Sequence, residues 1–297
     1  MSTAETLPIT ISLPSLETVT GFRRRRTLGA VLAEAQMTEV VAFDFVGGTA
    51  AVFTTRSPQK ITANEDVAAL WPTSPNSGVL AVADGLGGHA GGERASRLAI
   101  EAIQRSLHDA LPPAGQQVSD QLRGAILNGI EAANEAVRQL GSGAATTLAL
   151  VEIQDRTIRP YHVGDSAILL TGQRGKIKLQ TISHSPIGYA VEAGLMEEKD
   201  AIHHEARHVI SNVIGSDQMR IEIGPPIEMA PRDTLVLASD GLLDNLLPSE
   251  IVEYVRSGPL DCAVGVLVGE AQRRMAAQDG SAPCKPDDLT VIAYRAN

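Results

Sequence analysis

Residues 79–96 read VLAVADGLGGHAGGERAS, and this stretch decides how the rest of the chain is interpreted. It begins as an apolar run without alternation, the pattern of a strand buried on both faces, and the run ends on Asp84. Five glycines then surround His89 before a helical pattern begins. Glycine after an acid lets the backbone approach a bound ion closely. The stretch therefore predicts a core strand that presents Asp84 to a ligand.

The same arrangement of an acid at the end of an apolar strand recurs along the chain. Acids follow such a strand in HVGDS at 162–166 and LVLASDGLLD at 235–244, and they directly precede one in NED at 64–66 and DDLTVI at 287–292. Taken singly, each Asp-Gly pair is typical of an ordinary turn. Several carboxylates that converge repel one another, however, and stay ionised together only beside cations. Oxygen ligands without Cys or repeated His favour Mg²⁺ or Mn²⁺ over Zn²⁺, and two such ions suit the hydrolysis of phosphate esters.

The composition limits the classes of protein. The chain has 297 residues and a formal net charge of -10, from 25 Lys and Arg against 35 Asp and Glu. This balance argues against a nucleic-acid partner; the basic run RRRR at 23–26 is either an anion-binding patch or, as we favour, a solvated arm. The sequence has no signal-peptide pattern and no run of about 18 apolar residues. We expect a cytoplasmic monomer with no membrane partner.

The order of patterns predicts the organisation of the chain. Residues 1–50 are interpreted as an N-terminal extension of uncertain order, and residues 51–297 as one domain. Helical patterns cover 92–111 and 118–140, and the β-rich segments that follow suggest an antiparallel meander. Strands before and after a helical pair indicate layers of sheet flanked by helices.

The motifs, taken in order, resemble a known family. NEDVA, VADGLGGHAGGERAS, ATTLAL with VGDS, ARHVISNVIG, LVLASDGLLD and DDLTVI follow the motifs of the bacterial branch of the metal-dependent serine/threonine phosphatases, the type 2C family. The resemblance extends from about residue 51 to residue 295. It implies an α+β fold with two stacked, mostly antiparallel β-sheets flanked by helices, an α-β-β-α sandwich, and a small helical flap at about 189–206.

The resemblance also assigns residues to a site that holds two Mn²⁺ or Mg²⁺ ions and a weaker third. The implied ligands are Asp84 as the bridge, the Gly85 carbonyl, Asp240 and Asp287 for the first ion, Glu65 and Asp66 for the second, and Asp165 and Asp244 for the third. His89 is either the acid that protonates the leaving group or a loop histidine bonded to its own backbone.

One departure from the family pattern affects the substrate. The family has an arginine that grips the phosphate four residues before the glutamate of NED, and this chain has Ile61 there. Lys60 or Arg56 is the candidate replacement, although an ammonium does not reproduce bidentate guanidinium recognition. Asp288 also stands where the family usually has asparagine, and Ala167 where it has arginine.

The sequence thus favours a protein phosphatase that hydrolyses phosphoserine and phosphothreonine by direct attack of a metal-bound hydroxide. The expected partner is a phosphorylated protein, the substrate of a serine/threonine kinase. The alternative is a catalytically weak regulatory or binding module on the same fold, which the isoleucine at position 61 would suit. A metal-dependent nuclease is disfavoured by the acidic charge.

Overall fold

The computed structural model describes residues 25–26, 29–58, 60–86, 91–110, 119–141, 143–277 and 283–297. The strands are β1 (Arg25–Arg26), β2 (Ala30–Ala33), β3 (Val41–Phe45), β4 (Gly48–Thr55), β5 (Val67–Ser74), β6 (Ser77–Ala83), β7 (Gly85–Leu86), β8 (Ala145–Thr146), β9 (Leu148–Gln154), β10 (Thr157–Val163), β11 (Ala167–Thr171), β12 (Ile177–Gln180), β13 (Glu222–Ile223), β14 (Ile227–Glu228), β15 (Thr234–Ala238) and β16 (Leu289–Ala296). The helices are α1 (Gly92–Ala110), α2 (Ser119–Arg138), α3 (Pro186–Glu192), α4 (Glu198–Ala201), a 3-10 helix (Glu205–His208), α5 (Asp240–Leu243), α6 (Pro248–Val255) and α7 (Leu260–Ala276).

Most of the strands form two sheets. The first sheet has the order β1-β3-β4-β16-β15-β11-β12, and the second has the order β13-β10-β9-β6-β5-β2, with β14 also paired to β10. Neighbouring strands are antiparallel except β1 and β3, which are parallel. The short strands β7 and β8 pair beside the end of β6.

The core has two parts, one on each face of the second sheet. Strand β6 contributes to both: Leu80 and Val82 face the first sheet, whereas Val79 and Ala81 pack with α1 and α2. Because both faces are buried, the strand is apolar without alternation. Helices α6 and α7 cover the outer face of the first sheet. The layers are therefore helix, sheet, sheet, helix, and the predicted α-β-β-α sandwich is confirmed.

Two expectations about the chain's organisation are wrong for the described residues. The boundary at residue 50 falls inside β4, and the preceding strands β2 and β3 are integral to the second and first sheets. They pair there because apolar positions such as Leu32 and Phe43 complete the core between the sheets. The expected single meander is also divided, since β9 and β10 lie in the second sheet and β11 and β12 in the first.

The division of the meander positions the acidic residues. The chain leaves the second sheet after Val163 and enters the first at Ala167, so Asp165 lies on the connection between the two sheets. Ala167 pairs with Ala238, the last residue of β15, and the next strand β16 begins beside the end of β4. In the second sheet, Val67 pairs with Ala83. The strand ends that carry the acids thus meet at one end of the sandwich.

Candidate active site

Asp84 and Asp66 lie at the buried centre of this end. The Asp84 carbonyl accepts hydrogen bonds from the Thr147 amide at 2.9 Å and the Thr146 hydroxyl at 2.8 Å, which fix the end of β6 against β8 and β9. Asp66 precedes β5, and its Oδ2 accepts a 2.8 Å hydrogen bond from the Ser239 hydroxyl. Since Ser239 follows β15 of the first sheet, this bond joins the two sheets across the site.

Asp240 is the first residue of α5, immediately after β15. The glycine that follows it is required by close backbone packing, because a Cβ on Gly241 would lie 2.0 Å from the carbonyl oxygen of Asp288. Gly85 is constrained in the same way, since its Cβ would lie 2.2 Å from the Gly92 carbonyl oxygen. The glycine after each strand-end acid therefore lets neighbouring backbone segments come close enough to form the site.

The carboxylates are close enough to perturb one another. Burial, followed by the charges of Asp66, Asp240, Asp287 and Asp165, raises the pKa of Asp84 well above its ordinary value. Burial and then neighbouring acids also raise the pKa of other members of the cluster, namely Asp66, Asp165 and Asp240. The pKa of Asp287 is raised to about 6, first by burial and then by Asp240. The cluster therefore favours either protons or cations.

The donor set fits a hard divalent cation. Three buried oxygens have no hydrogen-bond partner among the described residues: Asp66 Oδ1, Asp165 Oδ1 and Asp240 Oδ1. Buried carboxylate oxygens of this kind are the ligands that Mg²⁺ and Mn²⁺ take. A cation of the chain itself is already attracted to the same place, since the Lys285 ammonium lies 2.8 Å from Asp240 Oδ2.

Lys60 and Glu65 form a second polar group at the edge of the site. The Lys60 ammonium lies 2.6 Å from Asp288 Oδ2 and also bonds Glu65 Oε2. Asp288 further accepts hydrogen bonds from the Ser57 and Glu65 amides, each at 2.7 Å. The aspartate that replaces the usual asparagine is therefore a structural anchor, and its charge holds Lys60. Arg56, by contrast, is exposed and has no hydrogen bond or ion pair with a described residue.

His184 holds the loop that carries Asp165 and was not identified from the sequence. Its backbone N–H donates to the Gly164 carbonyl at 2.8 Å, and its Nδ1 accepts from the Gly164 amide at 3.0 Å. Nδ1 also lies 2.9 Å from the Asn212 side-chain nitrogen, and Nε2 lies 2.9 Å from Glu222 Oε2. His184 directly precedes the residue that caps α3, so it links the start of the flap to the position of Asp165.

His162, His184 and Glu222 are near enough to one another to suggest a further metal site. The hydrogen bonds of His184 argue against it. Because Nδ1 faces two N–H donors, the ring proton is on Nε2, which then donates to Glu222 and has no lone pair for a metal. His184 and Glu222 therefore form a hydrogen-bonded support for the Asp165 loop.

Comparisons with known proteins identify the family. The protein phosphatase 2C profile matches residues 57–259. The chain belongs to this family. The phosphatase is 31% identical over 206 residues to protein phosphatase PhpP of Streptococcus pneumoniae strain D39, an alignment that spans 67% of this chain and 81% of PhpP. The expected function, a type 2C serine/threonine protein phosphatase, is confirmed at the level of the family.

Solved structures agree with this assignment. The serine/threonine phosphatase of S. agalactiae superimposes with a TM-score of 0.69 at 26% identity, over 84% of this chain and 99% of that one. The catalytic domain of PstP in complex with two manganese ions superimposes with a TM-score of 0.63 at 25% identity, over 83% of this chain and 96% of that one. None of the described helices of the phosphatase has the length and hydropathy needed to span a membrane.

The cleft of the phosphatase lies between the acids and the flap. A cavity of about 340 Å³ is lined on one side by Asp165, Asp240 and Asp244, and on the other by α3, α4 and Arg207. The flap predicted at about 189–206 corresponds to helices between residues 186 and 208. Arg207 approaches the acids, with its Nε 4.0 Å from Asp244 Oδ1. The sequence indicated the flap but gave no sign that this arginine would face the cleft.

Most of the predicted site residues of the phosphatase come together. The acids whose pKa values are raised within the cluster are Asp66, Asp84, Asp165, Asp240 and Asp287, and the charge of Asp244 acts on Asp165 and Asp240. Glu65 lies at the margin, where its carbonyl accepts a hydrogen bond from the Gly85 amide at 3.2 Å. His89 lies outside the described residues, and its role stays a prediction. Ser239 and Lys285 were missed, because a serine before Asp-Gly and a lysine in KPDD have no distinctive spacing.

Proposed function

We propose that this member of the type 2C family hydrolyses phosphoserine and phosphothreonine in proteins with two Mn²⁺ or Mg²⁺ ions bound at the acidic end of the sandwich. The observation that carries the proposal is the cluster of buried and partly buried aspartates whose pKa values are raised by desolvation and by one another. Divalent ions bound there would neutralise phosphate oxygens and lower the pKa of water. The manganese in the related PstP structure supports this choice of ion.

Each ligand in the proposal is held by the fold. Asp84 would bridge the two ions with the Gly85 carbonyl beside it; Asp240 and Asp287 would complete the first ion, and Glu65 and Asp66 the second. Asp165 and Asp244 would be left for a weaker third position. The hydrogen bond from Ser239 orients Asp66, and the bonds from Thr146 and Thr147 orient the backbone at Asp84. Rigid strand ends keep these groups in place during turnover.

The proposal includes the groups that would meet the substrate. His89 would donate a proton to the departing serine or threonine oxygen, and Arg56 or Lys60 would contact the phosphate. Arg56 is the better candidate for the phosphate contact, because its guanidinium is exposed. The Lys60 ammonium, in contrast, already bonds Glu65 and Asp288. The substrates would be phosphoproteins made by a serine/threonine kinase. A monomeric state and a cytoplasmic location stay predictions from the sequence.

The alternative, a regulatory or binding module with little turnover, is favoured by one observation. Ile61 stands at the position of the phosphate-gripping arginine. Its side chain is 94% exposed, so it contributes almost nothing to the packing of the fold. Release of inorganic phosphate from a phosphothreonine peptide distinguishes the two functions. The phosphatase should release phosphate with Mn²⁺ and stop when a chelator is added. Binding of Mn²⁺ without hydrolysis of either a phosphopeptide or an aryl phosphate would instead support the module.

Metal removal should have an effect on stability that depends on pH. The folded-state pKa of Asp287 is about 6, against an ordinary value of 3.8, so without metal the stability falls as pH rises through this window. Mn²⁺ binds the deprotonated cluster and should therefore stabilise the protein more at pH 7 than at pH 5. We expect Mn²⁺ at about 100 times its Kd to raise the Tm by about 5–10 °C at pH 7.

Differential scanning calorimetry with Mn²⁺ and with chelator, at both pH values, measures this difference. The Asp84→Asn variant is the matched control, since it lacks the central carboxylate and should show a smaller Mn²⁺ effect. Equal Mn²⁺ effects on Tm at pH 5 and pH 7 would show that the aspartates are not the groups that bind the metal.

A further inference from the structure

The side chain of Lys285 lies among three of the proposed ligands. Its Nζ is 2.8 Å from Asp240 Oδ2, 2.5 Å from Asp244 Oδ2 and 3.1 Å from Asp287 Oδ2. The ammonium donates hydrogen bonds to Asp240 and Asp244, and it forms an ion pair with Asp287. The side chain is 25% exposed, which leaves the contact partly desolvated and stronger than a surface ion pair.

The backbone of Lys285 is fixed relative to the site. Its N–H donates to Asn245 Oδ1 at 3.0 Å, and its carbonyl accepts from Asn245 Nδ2 at 2.9 Å. Asn245 is fully buried, and the same amide nitrogen donates to the carbonyl of Gly241, in the helix that begins with Asp240. Pro286 follows and restricts the chain further. The lysine and the acids are therefore held together by both main chain and side chain.

The two oxygens of Asp240 face different surroundings. Oδ2 is bonded to Lys285, whereas Oδ1 is buried without a hydrogen-bond partner among the described residues. Asp165 Oδ1 is also buried and without such a partner. The ammonium thus covers the side of the cluster that includes Asp244, and it leaves the oxygens on the opposite side available to an ion.

We propose that Lys285 is a tethered cation that takes the place of a third divalent ion at Asp244 and the Oδ2 side of Asp240. The inference rests on the proposed function, because it concerns the ions of the same centre. A divalent ion and an ammonium drawn to the same oxygens repel each other, so the third ion must displace the lysine before it binds. The phosphatase would then bind two ions tightly and have its third position filled by its own charge.

Mn²⁺ binding to the full chain, stripped of metal with chelator, tests the proposal. We expect wild type to bind two Mn²⁺ ions by isothermal titration calorimetry and by electron paramagnetic resonance of free Mn²⁺. Lys285→Met removes the charge and keeps the length of the side chain, and it should bind a third Mn²⁺ at least about tenfold more tightly than wild type. Lys285→Gln provides a second neutral variant should the methionine variant fold poorly, and circular dichroism checks both.

Three controls separate the charge of Lys285 from a general structural effect. Lys285→Arg keeps the charge and should bind two ions, as wild type does. Lys178→Met removes another partly buried lysine, whose Nζ lies 2.6 Å from Asp233 outside the site, and should not change the Mn²⁺ stoichiometry. In the double variant Lys285→Met with Asp244→Ala, the third ion should be lost again.

The number of Mn²⁺ ions bound by each variant decides between the possibilities. A third Mn²⁺ in the neutral variants alone supports the proposal. Two ions in wild type and in both neutral variants, with affinities within about threefold, would overturn it while leaving the proposed phosphatase centre intact. Three tightly bound ions in wild type would overturn it as well. Absence of Mn²⁺ binding in every variant would reject the proposed metal centre, and the inference with it.

Discussion

Replacement of Asp84 with asparagine should lower kcat for an aryl phosphate by about a thousandfold at saturating Mn²⁺, equivalent to about 4 kcal/mol of transition-state stabilisation. Asp84 is the central acid of the cluster, since the charges of Asp66, Asp240, Asp287 and Asp165 all act on it. Asparagine has nearly the same shape but contributes no negative charge to hold two cations. Steady-state kinetics with an aryl phosphate, together with Mn²⁺ titration, measures the loss.

The same substitution should not unfold the protein. Without metal, Asp84 is a buried acid whose neighbours repel its charge, so a neutral side chain should leave the Tm unchanged or raise it. Asp155→Asn is a suitable control because Asp155 is exposed, lies in the turn after β9 at the opposite end of the strand, and has a φ of 53° that asparagine tolerates. Wild-type turnover in Asp84→Asn at saturating Mn²⁺ would show that Asp84 does not bridge the ions.

The sandwich could be predicted from the sequence where burial determines residue type. Strand β6 is buried on both faces, and its apolar run without alternation indicated this directly. The helical patterns at 92–111 and 118–140 correspond to α1 and α2, whose apolar faces pack on the second sheet. These helices and core strands could be recognised because the spacing of apolar residues shows which faces of an element are buried.

Pairing partners could not be predicted in the same way. Strands β10 and β11 are largely buried, and this burial would be the same whether they paired with each other or entered different sheets, because burial does not specify which strand lies alongside. The change of sheet at Asp165 therefore appears only in the structure. Strand β2 was missed because it is short and its partner β5 is distant in the sequence; β3 is also short, although it forms a hairpin with β4 across residues 46–47.

The acids of the site were recognised from the sequence, and Lys60 was a candidate phosphate ligand, but the ion pairs that Lys60 and Lys285 form with these acids were not predicted. An aspartate at a strand end followed by glycine has a distinctive local pattern. Lys60 and Lys285 have none, since their roles depend on the partners that the fold brings to them: Asp288 for Lys60, and Asp244 for Lys285. The aspartate at position 288 could be noted as a departure, but the structure was needed to show that its charge pairs with Lys60.

Installing a guanidinium at position 61 should lower KM for a short phosphothreonine peptide by about 10-fold to 150-fold, the equivalent of about 1.5–3 kcal/mol from a charge-assisted hydrogen bond. Ile61 is 94% exposed, so Ile61→Arg removes no packing and should change the free energy of unfolding by less than about 0.5 kcal/mol. Mn²⁺ affinity should be unchanged. Steady-state kinetics on one peptide and one aryl phosphate gives KM and kcat separately.

Two further substitutions decide whether the wild-type chain already has a replacement for that arginine. Arg56→Ala should raise KM if its exposed guanidinium binds the phosphate, and Ile61→Arg would then gain little. Lys60→Ala should instead lower the stability of the fold, because it leaves the buried Asp288 without its cation. Val266→Arg, at a 60% exposed position on α7, controls for the added positive charge. If KM is the same in wild type, Arg56→Ala and Ile61→Arg, neither side chain reaches the phosphate, and the metal centre binds it alone.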